Sequence, residues 1–82
     1  MGQDVCHAVH NYMISMCYIA CDPKQPDQAW GLVADTPENA PFLDRDLTLW
    51  RNSGAVVKHV SHEIGLRYLH NYVNRRQLEL SI

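Results

Sequence analysis

The sequence predicts an α+β fold, a small antiparallel sheet of about four strands with a C-terminal amphipathic helix packed on one face. One observation is the segment YMISMCYIAC at residues 12–21, which is apolar at both alternating sets of positions. Another is the run at 55–60, whose period of two changes at Ser61 to the period of a helix. Polar connectors rich in Pro, Asn and Gly separate the apolar runs. We expect residues 1–82 to form a single domain, with its antiparallel strands within residues 12–60.

The sequence of the N-terminal part predicts a short lead-in segment that is followed by the central strand of the sheet. Val5 and Val9 stand at helical spacing, so residues 1–11 form a lead-in or a short helix. Because residues 12–21 are apolar on both sides, we expect a central strand that is covered on both faces. A helix that continues through this segment is the alternative, since Met, Cys and Ala are tolerated in either state.

The middle of the chain predicts three further strands. Residues 28–34, QAWGLVA, follow a connector with two prolines and form the second strand. Residues 35–45 contain two more prolines and form a long loop, in which Thr36-Pro37 is suited to start a helical turn. Residues 46–51, DLTLWR, alternate and form the third strand, and Asn52-Ser53-Gly54 is a hairpin turn into the fourth strand at 55–60.

The C-terminal part predicts an amphipathic helix at residues 61–76. Ser61 is suited to the N-cap, and Glu63 lies in the first turn, where the helix dipole favours a carboxylate. Gly65 falls within the apolar face, which indicates a close approach of the helix to the sheet. Residues 77–82 form a tail that adds an edge strand or docks on a second copy. The apolar face consists of Ile64, Leu66, Tyr68, Leu69, Tyr72 and Val73.

The sequence carries no catalytic signature, and we expect neither an enzyme nor a cofactor. Its cysteines number three, so a disulfide framework is not expected. In a strand, Cys17 and Cys21 would lie about 13 Å apart and could not share one metal ion. We therefore predict no metal site, and thiols of raised pKa in the strand. The alternatives are a reactive thiol at Cys6 and a zinc site drawn from Cys6, His7, His10, Cys17, Cys21, His59 and His62.

Two polar surfaces are candidates for binding a partner. One is the loop after the second strand, which is rich in acids. The other is the polar side of the C-terminal helix, where arginine is the residue type enriched at interface hot spots. The candidate residues are Glu38, Asp44 and Asp46 in the loop, and Arg67, His70, Asn71, Asn74 and Arg75 on the helix.

Two resemblances to known families bear on function. The segment GAVVKHVSHEIGLRYLHNYV, residues 54–73, resembles the second half of the hybrid-binding (viroplasmin-like) module found in front of some ribonucleases H. This resemblance implies binding of a nucleic-acid duplex. The order of elements, with Asp22-Pro23 after the first strand and Trp30-Gly31 in the second, is similar to small phage-encoded anti-CRISPR proteins. That resemblance implies inhibition of a host complex by occlusion.

We therefore predict a non-enzymatic protein-binding module of the cytoplasm, in particular an inhibitor from a phage or mobile element. A small module that binds an RNA/DNA hybrid or duplex is the alternative. The net charge of −2 argues against it, because phosphate binding depends on basic side chains. No apolar run is long enough to span a membrane. A chain of this length has a thin core, so a homodimer is compatible with the prediction.

Overall fold

The computed structural model describes residues 15–81, with side chains as far as Leu78. Within that range it is an α+β structure, in which a three-stranded antiparallel sheet of order β2-β1-β3 is combined with two helices. The lead-in or short helix predicted for residues 1–11 lies outside the described residues. The elements are β1 (Met16–Asp22), β2 (Gln25–Ala34), α1 (Ala40–Asn52), β3 (Val56–Ser61) and α2 (His62–Ser81).

The central strand is β1, as its apolar composition predicts. It pairs with β2 on one side and with β3 on the other, and both pairings are antiparallel. Cys17, Ile19, Ala20 and Cys21 are completely buried. A strand whose successive residues are all buried must be covered on both faces.

The helix α2 covers the face of the sheet on which Cys17 and Ile19 lie. Gly65 is buried against this face, and a β-carbon there would overlap the sulfur of Cys17 and lie 3.1 Å from a methyl carbon of Leu32. The predicted close approach at Gly65 is therefore confirmed. The predicted N-cap is also confirmed, because the hydroxyl of Ser61 accepts a hydrogen bond from the backbone amide of Ile64 at 3.2 Å.

The helix α1 covers the opposite face, and it corrects the prediction of a third strand at 46–51. Its inward positions are Leu43, Leu47 and Trp50, which follow a spacing of four and three residues that is typical of a helix. The alternation of leucines in DLTLWR therefore does not indicate a strand. Trp50 packs over Gly31, where a β-carbon would lie only 3.0 Å from the indole ring.

The presence of α1 also corrects two further predictions from the sequence. Residues 35–45 are not a single long loop, because α1 begins at Ala40. Asn52-Ser53-Gly54 does not join two strands; it ends a helix, and Gly54 takes the positive φ of 94° that commonly follows a helix C-terminus. The described chain thus has three strands where the sequence predicts about four.

The helix α2 differs from its prediction in length and in the width of its contact with the sheet. It continues through Ser81, so the tail is not an edge strand, because nothing after Arg76 interrupts the helix. Tyr68, Leu69 and Tyr72 are half-buried beside Gly65. The outer members of the predicted apolar face, Ile64, Leu66 and Val73, remain 38%, 47% and 44% exposed.

Candidate functional site

The polar side of α2 points away from the sheet. At 3.6 residues per turn, Arg67, His70 and Asn74 all lie within about 40° of the position opposite Gly65. All three side chains are exposed; Arg75 is exposed too, but lies on the flank of α2, about 80° from Gly65 around the helix. We call the five predicted helix residues, Arg67, His70, Asn71, Asn74 and Arg75, the outer face of α2.

Asn71, at the margin of the outer face, also takes part in the fold. Its side-chain amide donates a hydrogen bond to the backbone carbonyl of Asp27 at 2.9 Å, and the residue is half-buried. This bond joins α2 to the start of β2. The carboxamide therefore has a structural partner within the chain, whereas Asn74 lies farther from the sheet.

The carbonyl that Asn71 binds belongs to an irregular part of β2. The register with β1 shifts between Cys21 and Asp22, so Pro26, Asp27 and Gln28 have no paired residue in β1. An unpaired backbone carbonyl needs another donor. Asn71 supplies one to Asp27, and the ammonium of Lys58 lies 3.5 Å from the carbonyl of Pro26.

Lys58 thereby has two contacts within the chain, both near the surface. Its ammonium lies 5.5 Å from the centre of the Tyr68 ring, in a cation–π contact, as well as beside the carbonyl of Pro26. The charge is therefore directed toward β2 and α2.

The acidic candidates lie on the other side of the sheet. Asp44 and Asp46 belong to α1, and Glu38 to the turn that precedes it. Asp46 is paired with Arg45 at 3.3 Å. Because α1 and α2 cover opposite faces of the sheet, the acidic candidates and the outer face of α2 do not form one surface.

The two helices also differ in the distribution of charge. The acids Asp44 and Asp46 of α1 are balanced within the same helix by Arg45 and Arg51. In α2 there is no acidic residue from 64 to 78. That stretch contains the bases Arg67, His70, Arg75 and Arg76. Its surface is therefore basic over about four helical turns.

The described cysteines have the properties expected of core residues. Cys17 and Cys21 are free and buried. Burial raises the pKa of both thiols, and the nearby charge of Lys58 partly offsets this rise for the pKa of Cys21. Such thiols are poor nucleophiles at neutral pH. Among residues 15–81, no group of three or more His, Cys, Asp or Glu side chains could hold a metal ion, whereas Cys6, His7 and His10 lie outside that range.

A second polar cluster lies on the α1 side of the sheet, and sequence periodicity gives no sign of it. The imidazole Nε2 of His59 lies 2.9 Å from a carboxylate oxygen of Asp35, and the imidazole is stacked on Tyr18 with ring centroids 4.3 Å apart. Both side chains are substantially exposed to solvent. The pair joins the segment after β2 to β3.

Comparison with models of known protein families, with curated proteins and with solved structures found no match to this chain. Within the described residues, neither helix is long and apolar enough to cross a membrane.

Proposed function

We propose that this chain is a non-enzymatic protein-binding module whose contact surface is the outer face of α2. The observation that supports the proposal most is that no other described element covers the side of α2 opposite Gly65, and that after Glu63 in the first turn α2 has no acid from 64 to 78. Every side chain from Val73 to Leu78 is exposed. More specifically, we propose that the protein is a cytoplasmic inhibitor from a phage or mobile element. Like anti-CRISPR proteins, it would act by occluding a host complex.

The composition of this surface favours a protein partner. Its arginines are flanked by exposed aliphatic side chains, namely Ile64 before them and Leu78 after them. Interfaces between proteins combine arginine with apolar contacts in this way. The basic charge further favours a partner with an acidic surface, because complementary charges accelerate the encounter.

Binding of an RNA/DNA hybrid or duplex is the second candidate, and the same acid-free stretch favours it. Phosphate groups would be neutralised by Arg67, Arg75 and Arg76. The other described bases do not extend this stretch: Lys24 and Arg51 lie outside α2, Lys58 contacts Pro26, and Arg45 is paired with Asp46 on the opposite side of the sheet. We therefore rank it below protein binding.

The experiment is affinity capture from the source cells, with mass spectrometry of the bound proteins. We compare the unmodified chain, the double variant Arg67→Ala/Arg75→Ala and the matched control Asp44→Ala/Asp46→Ala. We expect a defined protein to be captured by the unmodified chain and by the control, and to be lost with the helix variant. Each variant must first give the circular dichroism spectrum of the unmodified chain.

Nuclease treatment separates the two candidates. A protein that remains bound after digestion of all nucleic acid supports direct protein binding. Capture that disappears after digestion, with binding of a synthetic hybrid duplex that weakens steeply as salt is added, supports the second candidate instead. Retention of every partner by the helix variant would contradict the outer face of α2 as the contact surface.

A further inference from the structure

The strand β3 is an edge of the sheet in the described chain, because only β1 pairs with it. The amide of His62 donates to the carbonyl of Ser15 at 2.9 Å, in the register that pairs the two strands. Backbone groups along an antiparallel strand point to its two sides alternately. The even-numbered residues of β3 therefore bond to β1, whereas the amides and carbonyls of Val57 and His59 point outward.

Each end of this edge offers one further backbone group. The amide of Ala55 donates to the carbonyl of Trp50 at 3.1 Å, so only the carbonyl of Ala55 is available. At the other end, the carbonyl of Ser61 faces the thiol of Cys17 beside the first turn of α2, so only the amide of Ser61 is available. Among residues 15–81, none of these outward groups has a hydrogen-bond partner. A further strand would satisfy them.

The polar side chains in the middle of β3 do not block the edge. Natural proteins often protect an edge strand with charged side chains that project from it. The ammonium of Lys58 is instead directed across the sheet to the carbonyl of Pro26 in β2. On the other face, the imidazole of His59 stacks on Tyr18 and reaches Asp35. Both side chains therefore lie over the sheet of their own chain and leave the edge accessible.

We propose that β3 pairs with β3 of a second copy of the chain, in antiparallel orientation and with Lys58 at the two-fold axis. In this register Val57 of each copy lies opposite His59 of the other, and each such pair exchanges both of its hydrogen bonds. The amide of Ser61 then meets the carbonyl of Ala55 of the other copy. The available groups of the edge thus match one another completely, and the two sheets join into one.

Neighbouring registers do not match in this way. A pair centred on Val57 would need the amide of Ala55, which already donates to Trp50. A pair centred on His59 would direct the amide of Val57 to the carbonyl of Ser61, which is turned toward α2 and Cys17. Each alternative leaves an edge group without a partner, and the cost of such a group favours the register at Lys58.

The side chains agree with the same register. Val56 of each copy lies opposite Val60 of the other, and cross-strand pairs of β-branched residues stabilise a sheet. This contact would cover Val56, which is 43% exposed. The two Lys58 residues are opposite each other, but each ammonium contacts Pro26, about two strand spacings or 10 Å from β3. The two charges are therefore separated by more than the Debye length of about 8 Å.

The first test is sedimentation equilibrium of the full chain over a range of concentrations. We expect a reversible monomer–dimer equilibrium that Val56→Lys weakens at least tenfold, because it places a charge opposite Val60. The matched control is Leu78→Lys, since Leu78 is also an exposed apolar residue, 64% accessible, but lies in the C-terminal part of α2. This control should still form the dimer. A chain that stays monomeric at all concentrations, or a dimer that Val56→Lys leaves unchanged, would overturn the proposal.

Amide hydrogen exchange, followed residue by residue by NMR, tests the edge itself. As the concentration rises and the dimer forms, exchange should slow at least tenfold for the amides of Val57 and His59. The amides of Lys58 and Val60 bond to β1 in both states, so they are the internal control and should change little. A dimer in which Val57 and His59 still exchange as in the monomer would contradict the proposal.

A backbone variant gives an independent check. Val57→Pro removes an outward amide without removing a hydrogen bond to β1, and proline is tolerated in this position of an edge strand. We expect it to retain the circular dichroism spectrum of the unmodified chain and to dimerise at least tenfold more weakly. The double variant Arg67→Ala/Arg75→Ala should remain dimeric, which keeps these tests independent of the proposed partner binding.

Discussion

Gly65 lies so close to Cys17 that a β-carbon at position 65 would overlap the cysteine sulfur. The sulfur cannot easily move, because Cys17 is fully buried and its thiol faces the carbonyl of Ser61 at 3.7 Å. This contact sets the distance between α2 and the sheet. It also fixes which side of the helix faces outward.

We predict that Gly65→Ala destabilises the protein although alanine is the better helix former. Alanine would gain about 1 kcal/mol in helix propensity, but overpacking a core contact costs typically about 1 to 3 kcal/mol. We expect a net loss on the order of 1 kcal/mol in the free energy of unfolding, measured by urea denaturation. Asn74→Ala, at an exposed position of the same helix, should cause no loss.

A double-mutant cycle identifies the cause of that loss. If the sulfur of Cys17 is the obstacle, Gly65→Ala combined with Cys17→Ala should cost less than the sum of the two single changes. Strict additivity would show that the loss at position 65 arises elsewhere.

A second prediction concerns the pH dependence of stability. Burial raises the pKa of the Cys17 and Cys21 thiols, so the unfolded chain loses these protons at a lower pH than the folded chain. Their contribution to stability is complete below the ordinary thiol pKa of about 8.5 and decreases as the pH rises above it. The urea midpoint of the unmodified chain should therefore fall between pH 8 and pH 10.

The two cysteines should contribute unequally to this fall. The charge of Lys58 lowers the pKa of Cys21 and partly offsets the effect of burial, whereas for Cys17 burial acts alone. We expect Cys17→Ala to flatten the decline in stability above pH 8 more than Cys21→Ala does. Equal declines in both variants and in the unmodified chain would exclude the thiols as the cause.

A third prediction separates the structural role of Asn71 from the rest of the outer face. Asn71→Ala removes the donor to the carbonyl of Asp27 and should destabilise the protein by about 0.5 to 1.5 kcal/mol. His70→Ala, next to it on the exposed side, is the control and should change the urea midpoint little. An unchanged midpoint for Asn71→Ala would show that water replaces the amide at this carbonyl without loss.

Much of the fold could be predicted from the period of the apolar residues. The strands β1 and β3, the start of α2 and the close approach at Gly65 all follow from local patterns. The helix α1 was predicted wrongly, because DLTLWR contains both an alternating pair of leucines and the helical spacing of Leu47 and Trp50. Only packing against the sheet decides between them, and Gly31 provides the space for Trp50.

The candidate site was predictable to the extent that it depends on helical periodicity. The exposure of Arg67, His70 and Asn74 follows from their position opposite Gly65. The partner of Asn71 could not be predicted, because the carbonyl it binds is 44 residues away in the sequence and is free only where the β1–β2 register shifts. The pairing of Asp35 with His59 depends in the same way on tertiary structure.

The central claim is that the outer face of α2 binds another protein, and photo-cross-linking in the source cells tests it most directly. A photoreactive amino acid is placed at Asn74 on the outer face or at Asp44 on α1, and both positions are exposed. We predict a discrete protein adduct from position 74 and none from position 44. No protein adduct from position 74, or an adduct only with nucleic acid, would contradict the claim.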